Sequence, residues 1–501
     1  MANDNIQSIE DFDPDAPPFA EFRDWCTVPG VDDPWEYWKD GDWRTKKQVA
    51  IVEANINYLE DKSALQKRFN CLRTALEGIP NAAARQEVQE LYCFDVSGTR
   101  TDQRDLDLST LTIPCDVKLH RVSVTGTVAL LNANFAGDIS LDNSFIGDWV
   151  WLQSVTVGGN VSLDGTEVGA RLRLDQAKLD GNLSLDGVRV GDELLLINTE
   201  VQGDIWLDQA KIGGDARFVG LKVGEDIWLH RAKVMGNLLI SSTNLRNNAT
   251  LLASNMQVKG NLSIHLKHNG GFKCQRLSVY GTSIFSGSRF EQVPDFRNAM
   301  FERPPEVADM KVPLPAMKRT SLFCFATAKD SDDVARFRKL KAMALAANDH
   351  EKDGEFFAKE MIAKRGIETT TFFGLLFNSL YWTLSNFGQS FMRPMAWLGA
   401  SLAFFTALYA ALATTALGFS KALEFGAIHA IKNLTPVVST IVRFGAKPKD
   451  YVSVYDKRFD ALVTNDAPVG WIIVLSYGQA FIGTVLLFLL LLALRNKFRL
   501  K

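Results

Sequence analysis

An eleven-residue repeat in the middle of the chain constrains the fold more than any other feature of the sequence. Two apolar series keep this step, one passing through Val117 and the other through Val124. A third series lies between them, at Leu119, Leu130, Leu141, Leu152, Leu163, Leu174, Leu185, Leu196, Leu207, Phe218, Leu229, Ile240 and Leu251. Each unit thus has two short stretches of alternating apolar residues, which is typical of strands with one buried face.

Turn-forming residues separate these stretches, so the repeat does not continue as one helix. Glycines share one register, where they allow either a positive φ or a close backbone approach: Gly126, Gly137, Gly159, Gly181, Gly203, Gly214 and Gly236. The apolar offsets also fail to form one helical stripe, which excludes an eleven-residue coiled coil. The sequence predicts a β-solenoid, whose stacked turns bury a continuous core.

A second-order register predicts that one turn uses two units, or 22 residues. Aspartate recurs at that spacing at Asp142, Asp164, Asp186 and Asp208, whereas the alternate units carry Gln153, Asp175, Ile197 and Val219. From Leu106 to Ile264 this gives about seven turns and a rod roughly 34 Å long at ~4.8 Å per turn. The spacing breaks after Leu251, so we expect a bulge or loop near Asn255.

The repeat resembles the pentapeptide-repeat class of right-handed β-helices, which place a central Leu or Phe and a small residue inward. The segments FSGSRF (285–290) and PDFRNAMF (294–301) carry this resemblance best. The spacing departs from the class because apparent steps of five and six alternate. The resemblance implies a right-handed β-helix.

Two long apolar stretches near the C-terminus predict membrane-spanning helices. Ala396–Gly418 and Trp471–Leu494 contain no charged residue, and each exceeds the roughly 20 residues that cross a bilayer. The alternative is a pair of buried core helices. The N-terminus lacks the apolar region of a secretory signal. The missing signal, the positive charge of Arg393 before the first span and the basic last seven residues together predict two spans with both termini in the cytoplasm.

The segment before the first span predicts a helical hairpin, over Asp333–Arg365 with a turn at Ala347–Asp349. With the FRKLK and SNFGQSFMRP stretches, the chain is similar to bacterial membrane proteins that join a β-helical repeat to two C-terminal spans. That similarity implies the bacterial inner membrane and no established catalytic residues. Some of those proteins place an ion-channel-like pore between the spans. Here Ala422–Val438 is either a re-entrant pore helix or a helix resting on the membrane.

The domain organisation follows from these changes of pattern: 1–104 mostly helical, 105–304 β-helix, 305–393 linker with helical hairpin, and 394–501 transmembrane hairpin with its loop. Lys46–Leu59 and Ala82–Tyr92 have helical spacing. Four tryptophans fill a small core or cap the solenoid end: Trp25, Trp35, Trp38 and Trp43. Phe372–Leu384 is too short to span, so it either lies in the membrane interface or packs on the hairpin.

Little in the sequence points to chemistry. A net charge of -3 argues against a nucleic-acid partner, and nucleotide-binding, zinc-protease and serine-hydrolase motifs are absent. The scattered cysteines indicate neither a zinc ribbon nor a disulfide framework. For His265, His268 and Cys274 a capping loop is a better interpretation than a metal site. We therefore predict no cofactor, no metal and no catalytic residue.

Two sets of residues are candidates for an interaction face. The first set is the Asp142 ladder, which consists of Asp142, Asp164, Asp186 and Asp208. Its stacked carboxylates raise one another's pKa or recruit a cation, although aspartate is also a common turn residue. Three tryptophans lie between inward strand residues and so point outward, towards a partner or another part of the chain: Trp151, Trp206 and Trp228.

Three functions fit this sequence. The first is a non-enzymatic scaffold anchored in a lipid bilayer, with a protein partner or a second copy of itself. The second is an oligomeric ion-channel-like or pore-forming effector gated by the β-helix. The third is a membrane-bound enzyme that uses the β-helix face, for which only the aspartate ladder offers an acid pair.

Overall fold

The computed structural model describes residues 61–92, 94–97, 100–101, 105–246, 249–268, 270–319, 326–434 and 469–498. These residues fall into two compact units. One contains the described residues of Met1–Leu314 with Ala342–Asp349, and the other those of Pro315–Lys341 with His350–Lys501. The predicted helix at Lys46–Leu59 and the four N-terminal tryptophans lie outside the described residues.

The first unit is a β-solenoid, as the repeat predicts. From Leu106 to Leu245, each turn contributes one short parallel strand to each of four sheets, in the chain order C, D, A, B. Val161 pairs with Leu183 and Ser162 with Ser184, so the step along sheet A is 22 residues. The prediction of two units per turn is confirmed.

The described strands extend beyond the predicted limits at both ends, so sheets A and C each have nine strands. Sheet A contains Phe94–Asp95, Val117–Lys118, Ile139–Ser140, Val161–Ser162, Leu183–Ser184, Ile205–Trp206, Ile227–Trp228, Leu251–Leu252 and Phe272–Lys273. Sheet C contains Leu106–Asp107, Val128–Ala129, Val150–Trp151, Leu172–Arg173, Leu194–Ile197, Ala216–Val219, Leu238–Ser241, Leu262–His265 and Ser283–Ile284.

Sheets B and D have ten and seven described strands. Sheet B contains Arg100–Thr101, Ser123–Val124, Phe145–Ile146, Glu167–Val168, Arg189–Val190, Lys211–Ile212, Lys233–Val234, Gln257–Val258, Ser278–Val279 and Met300–Phe301. Sheet D contains Thr112–Ile113, Asn134–Phe135, Thr156–Val157, Lys178–Leu179, Glu200–Val201, Lys222–Val223 and Asn244–Leu245. Lys267–His268 and Arg289–Phe290 form a separate pair.

The three apolar series fill the core of the solenoid. The register places Leu163 beside Leu185 one turn later, and both side chains are fully buried. Val124 and Val117 are also fully buried. Because strands of two residues bury little surface alone, stability comes from stacking many turns on one core.

Two sets of corner residues explain the turns. A left-handed residue recurs every eleven positions, and most of these are not glycine: Asn132, Asn143, Ser154, Gly165, Gln176, Gly187, Asn198, Gln209, Gly220 and Arg231. The glycines that share one register in the sequence are needed for a different reason, which is the close approach of the preceding turn. A Cβ at Gly159 would overlap Oδ1 of Asp138 in the preceding turn. Close approach, not a positive φ, therefore requires that glycine.

The predicted bulge near Asn255 is wrong. Ile227 pairs with Leu251, a step of 24, so the two extra residues lie between Leu245 and Leu251. Asn255 instead occupies a regular corner, with φ 60. The sequence series hid the insertion because Leu251 is apolar and extends the eleven-residue spacing by coincidence.

A helix covers the N-terminal end of the solenoid. Helix α1 (Lys62–Glu77) buries Leu65, Phe69 and Leu72; α2 (Ala82–Leu91) follows it, as predicted. The Gln66 amide accepts a hydrogen bond from the Thr112 N–H at 2.8 Å and donates to the Thr112 carbonyl at 3.3 Å. Since Thr112 lies on the edge strand of sheet D, this amide protects a sheet edge.

The second unit is mostly helical. A short antiparallel ribbon joins Met317–Arg319 to Ala326–Ala328. Helix α3 (Asp333–Ala346) begins in this unit, whereas its last residues and the following turn, which includes Asn348 at φ 56, belong to the first unit. Helix α4 (His350–Ala363) follows, in the order that the predicted hairpin requires. The remaining helices are α5 (Phe372–Ser385), α6 (Met392–Leu417), α7 (Phe419–Lys432) and α8 (Val469–Lys497).

Helices α6 and α8 contain the two segments that are long and apolar enough to cross a membrane. These segments are Met392–Thr414 and Val474–Lys497, with mean hydropathies of 1.6 and 2.1. Only 17% and 28% of their most apolar windows are buried. Their apolar surface is therefore mostly on the outside of the unit.

Candidate functional site on the solenoid faces

The four aspartates of the predicted ladder form a continuous column next to sheet A. Oδ1 of Asp142 accepts a hydrogen bond from the N–H of Asp164 at 3.0 Å, and Asp164 accepts from Asp186 at 2.9 Å. Asp186 in turn accepts from Asp208 at 2.8 Å, and Asp208 from His230 at 2.7 Å. Each carboxylate thus satisfies an N–H of the next turn, 22 residues further along the chain, and so links successive turns of the solenoid.

The stacked charges also act on one another. Burial raises the pKa of Asp186, and the charges of Asp164 and Asp208 raise it further, against the lowering effect of the hydrogen bond from the Asp208 N–H. The prediction that neighbouring carboxylates raise each other's pKa is confirmed at Asp186. Charge repulsion within the ladder is therefore a cost of the fold.

A second ladder, which the sequence analysis missed, borders the other side of sheet A. Oδ1 of Asp138 accepts from the N–H of Asn160 at 2.6 Å, and that of Asn182 accepts from Asp204 at 2.8 Å. The signal was present in the sequence, because these residues immediately precede the inward residue of each sheet A strand. Acidic and amide side chains thus line both borders of this face.

The three predicted tryptophans point outward from their strands, but they do not form one surface. Trp206 and Trp228 are paired neighbours on sheet A. Trp151 lies on sheet C, two sides further round the turn, and contacts Trp149 edge to face at 5.5 Å. All three are partly buried. Only Trp206 and Trp228 lie beside the aspartate ladder.

Sheet C presents a balanced network of ion pairs. Arg171 contacts Asp192 at 2.8 Å and Glu193 at 3.3 Å, and Arg217 reaches the same Glu193 at 3.6 Å. The Arg171 guanidinium also lies over the Trp149 ring, 5.1 Å from its centroid. These charges neutralise one another, so sheet C offers little net charge to a partner.

Sheet B carries a groove that the sequence analysis did not identify. Its volume is about 390 Å³, and its floor is the backbone of Gly169, Gly191 and Gly213. Two exposed apolar residues, Phe145 and Met235, lie at its ends. One wall is formed by four charged side chains: Glu167, Arg189, Lys211 and Lys233. The glycines recur every 22 residues, which was the available signal.

The second unit contains a buried polar network that links its three last helices. Tyr409 of α6 donates to Oε1 of Gln479 at 3.0 Å, and the Gln479 amide donates to the Ala430 carbonyl at 2.8 Å. His429 of α7 and Ser476 of α8 share a hydrogen bond of 2.8 Å. Polar groups buried among apolar helices are stable only when paired in this way.

Helix α7 covers residues 422–432 of the predicted Ala422–Val438 segment; residues 435–438 lie outside the described ranges. It packs closely on α6, because a Cβ at Gly426 would overlap the Thr406 carbonyl. Ala422 and Phe425 are buried in the same contact.

No metal centre is found in the part of the chain that the structure describes, where no three His, Cys, Asp or Glu side chains form a group. Cys274 is buried in the solenoid core. Burial raises the pKa of its thiol well above the usual value, and Asp295 adds to the shift.

No protein-family model, no curated protein and no solved structure matches the chain.

Proposed function

We propose that this protein is a non-enzymatic scaffold anchored in a bacterial inner membrane, with the solenoid as its binding surface. The proposal combines a long β-solenoid with two helices that are long and apolar enough to span a bilayer. The pentapeptide-repeat kinship and the bacterial source belong to this proposal. The pentapeptide-repeat kinship is supported by the inward Phe285, Phe290 and Phe296, which step by five and six residues.

The observation that carries the proposal is the outward apolar surface of α6 and α8. Phe404, Phe481 and Phe488 are 62%, 72% and 63% exposed. A soluble protein rarely exposes such a continuous apolar surface, whereas a bilayer provides an apolar solvent for it. Trp397 and Trp471 are exposed near the helix starts, where interfacial aromatic residues are expected.

The packing of these helices supports a hairpin with both ends on one side of the membrane. Lys497 at the end of α8 lies 4.5 Å from the ring centroid of Phe391, just before α6. Asn496 donates to the Gly388 carbonyl at 3.0 Å. The end of α8 and the start of α6 therefore lie together, with Arg393 and Arg495 nearby in sequence. Basic residues at one end favour the cytoplasmic side.

Helix α5 supports the same arrangement. The sequence leaves open whether this segment packs on the hairpin or lies in the membrane interface, and α5 has a face suited to each. Asn378 donates to the Met361 carbonyl at 3.0 Å, so one face packs on α4. Phe373, Phe377 and Leu380 are exposed on another face at the spacing of an interfacial helix.

Extraction of the full chain from cell membranes tests the anchor. We expect the protein to stay in the membrane pellet at alkaline pH and to dissolve only in detergent. A variant lacking 394–501 should move to the soluble fraction and keep the strand signal in circular dichroism. Release of the full chain by alkali would contradict the proposal.

A second function, an oligomeric ion-channel-like pore, is favoured by one specific observation. Helix α7 follows α6 directly and is held against α6 and α8 by the Tyr409–Gln479–Ala430 hydrogen bonds. Polar groups between apolar helices are candidates for an ion pathway. Planar-bilayer conductance that disappears in Gly426→Leu but persists in Gly399→Leu would support it; a purified monomer without conductance would exclude it.

A further inference from the structure

We propose that the sheet B groove binds an extended acidic segment of a partner protein, with apolar residues at both ends of that segment. This inference deepens the proposed scaffold function, because it assigns the binding surface and the chemistry of its partner. It is carried by the shape of the groove, its free positive charge and its apolar ends.

The shape follows from the stacking of the turns. A Cβ at Gly191 would overlap the Gly169 carbonyl, and a Cβ at Gly213 would overlap the Gly191 carbonyl. The fold therefore keeps side chains out of successive turns, and a continuous trough remains open above the backbone. A bound chain can lie along this trough, parallel to the solenoid axis.

The charge favours an anionic occupant. Arg189 and Glu167 form an ion pair with each other. Lys211 and Lys233 are paired neighbours in adjacent strands, and neither has an ion pair among the residues described. They are ~4.8 Å apart along the axis, whereas alternate side chains of an extended peptide are ~7 Å apart. The flexible lysine stems can span that difference, so carboxylates at positions i and i+2 of a peptide match the two ammonium groups.

The length and the ends favour a peptide. Phe145 and Lys233 are four turns of the solenoid apart, and Met235 lies two residues after Lys233. Four turns cover ~19 Å, which is the length of about six extended residues. Phe145 and Met235 are 48% and 55% exposed and can contact apolar side chains at the two ends. A long polyanion such as RNA fits less well, because Lys211 and Lys233 pair with only two of its phosphates, while the Asp142 ladder, three residues before the same sheet, repels the others.

Fluorescence polarisation with the detergent-solubilised full chain tests the inference. The probes are fluorescein-labelled Leu-Ser-Glu-Ser-Glu-Leu, its reversed sequence, a version with Gln for both Glu, and a twelve-nucleotide oligothymidylate. The protein variants are Lys211→Ala with Lys233→Ala, and the matched control Lys178→Ala. Lys178 holds the same outward strand position on sheet D, so it controls for loss of a surface lysine.

We expect one of the acidic peptides to bind, with affinity reduced about tenfold by the double lysine variant and unchanged by the control. The Gln peptide should bind at least tenfold more weakly. Absence of binding up to about 1 mM for both acidic peptides would overturn the inference. Equal binding of the Gln peptide, or tighter lysine-dependent binding of the oligonucleotide, would also overturn it. Binding is measured in detergent, so its failure is distinct from failure of membrane anchoring.

Discussion

The two units of this protein place similar apolar side chains in opposite positions. In the solenoid, Leu163 and Leu185 are fully buried, as are most members of the three apolar series. In the helical unit, Phe481 and Phe488 are among the most exposed residues. The hydrophobic effect drives burial only against water. Under the proposed membrane anchoring, the contrast reflects two different solvents, water for the solenoid and lipid for α6 and α8.

Backbone hydrogen bonds follow the same division. A solenoid strand is two to four residues long, so it depends on the turns above and below; Leu163, for example, donates to the Ser184 carbonyl at 2.9 Å. Each α-helix satisfies its backbone internally, which is required within a lipid bilayer. A defect in the solenoid therefore affects neighbouring turns, whereas a helix surface tolerates change if it stays apolar.

The largest expected effect is loss of solenoid stability in Leu163→Ala. The substitution leaves a cavity between turns, and we expect the free energy of unfolding to fall by about 3 kcal/mol. Urea unfolding followed by tryptophan fluorescence measures it. The control Met300→Ala removes a side chain that is 67% exposed and should change stability by less than about 0.5 kcal/mol. Equal losses of stability in the two variants would contradict the distinction between buried and exposed apolar residues of the solenoid.

A charge on the exposed surface of α8 tests the lipid side of the comparison. Phe488→Lys should disfavour insertion by about 3 kcal/mol and reduce the membrane-bound fraction in cells. Met300→Lys, also at an exposed apolar residue, should leave both localisation and stability unchanged because that surface faces water. If both variants remained fully in the membrane, lipid contact at Phe488 would be wrong.

The sequence predicted the buried core of the solenoid and the apolar helices, because each follows from a pattern that continues over many residues. The 22-residue spacing of Asp142 and Asp164 identifies the turn length, and charge-free stretches identify α6 and α8. Features that depend on three-dimensional coincidence were missed. The insertion before Leu251 was hidden by an apolar residue in the wrong register, and the sheet B groove arises where glycines one turn apart meet Lys211.

Two glycines should respond with opposite signs to the same substitution. Gly159→Ala forces a Cβ against Asp138 and the backbone of Gly137, so we expect a loss of about 2 kcal/mol. Gly399→Ala on α6 meets nothing within 4 Å and should stabilise the helix by up to about 1 kcal/mol. Thermal unfolding of both variants in detergent measures this. Destabilisation in both would mean that the Gly399 surface is already in contact with another chain.

Acid should weaken the helical unit through Glu360. Burial alone would raise the pKa of this carboxyl, but hydrogen bonds from Lys341 at 2.7 Å and the nearby Lys364 at 2.9 Å lower it. Its stabilisation is present above the ordinary pKa of 4.5 and is lost as pH falls through the lowered value. Glu360→Gln should cost about 1 to 2 kcal/mol at pH 7, and the difference should shrink in acid. A pH-independent difference would indicate lost packing.

The smallest expected effect has the opposite sign and lies in the solenoid. Asp186 has a raised pKa, so its preference for the folded state is complete below the ordinary value of 3.8 and is lost as pH rises through the raised one. Asp186→Asn keeps the oxygen that accepts from Asp208, as Asn182 does for Asp204 in the second ladder. We expect a gain of about 0.5 kcal/mol at pH 7 that fades in acid and in high salt, since salt screens the repulsion. A loss of stability at neutral pH would contradict net repulsion within the ladder.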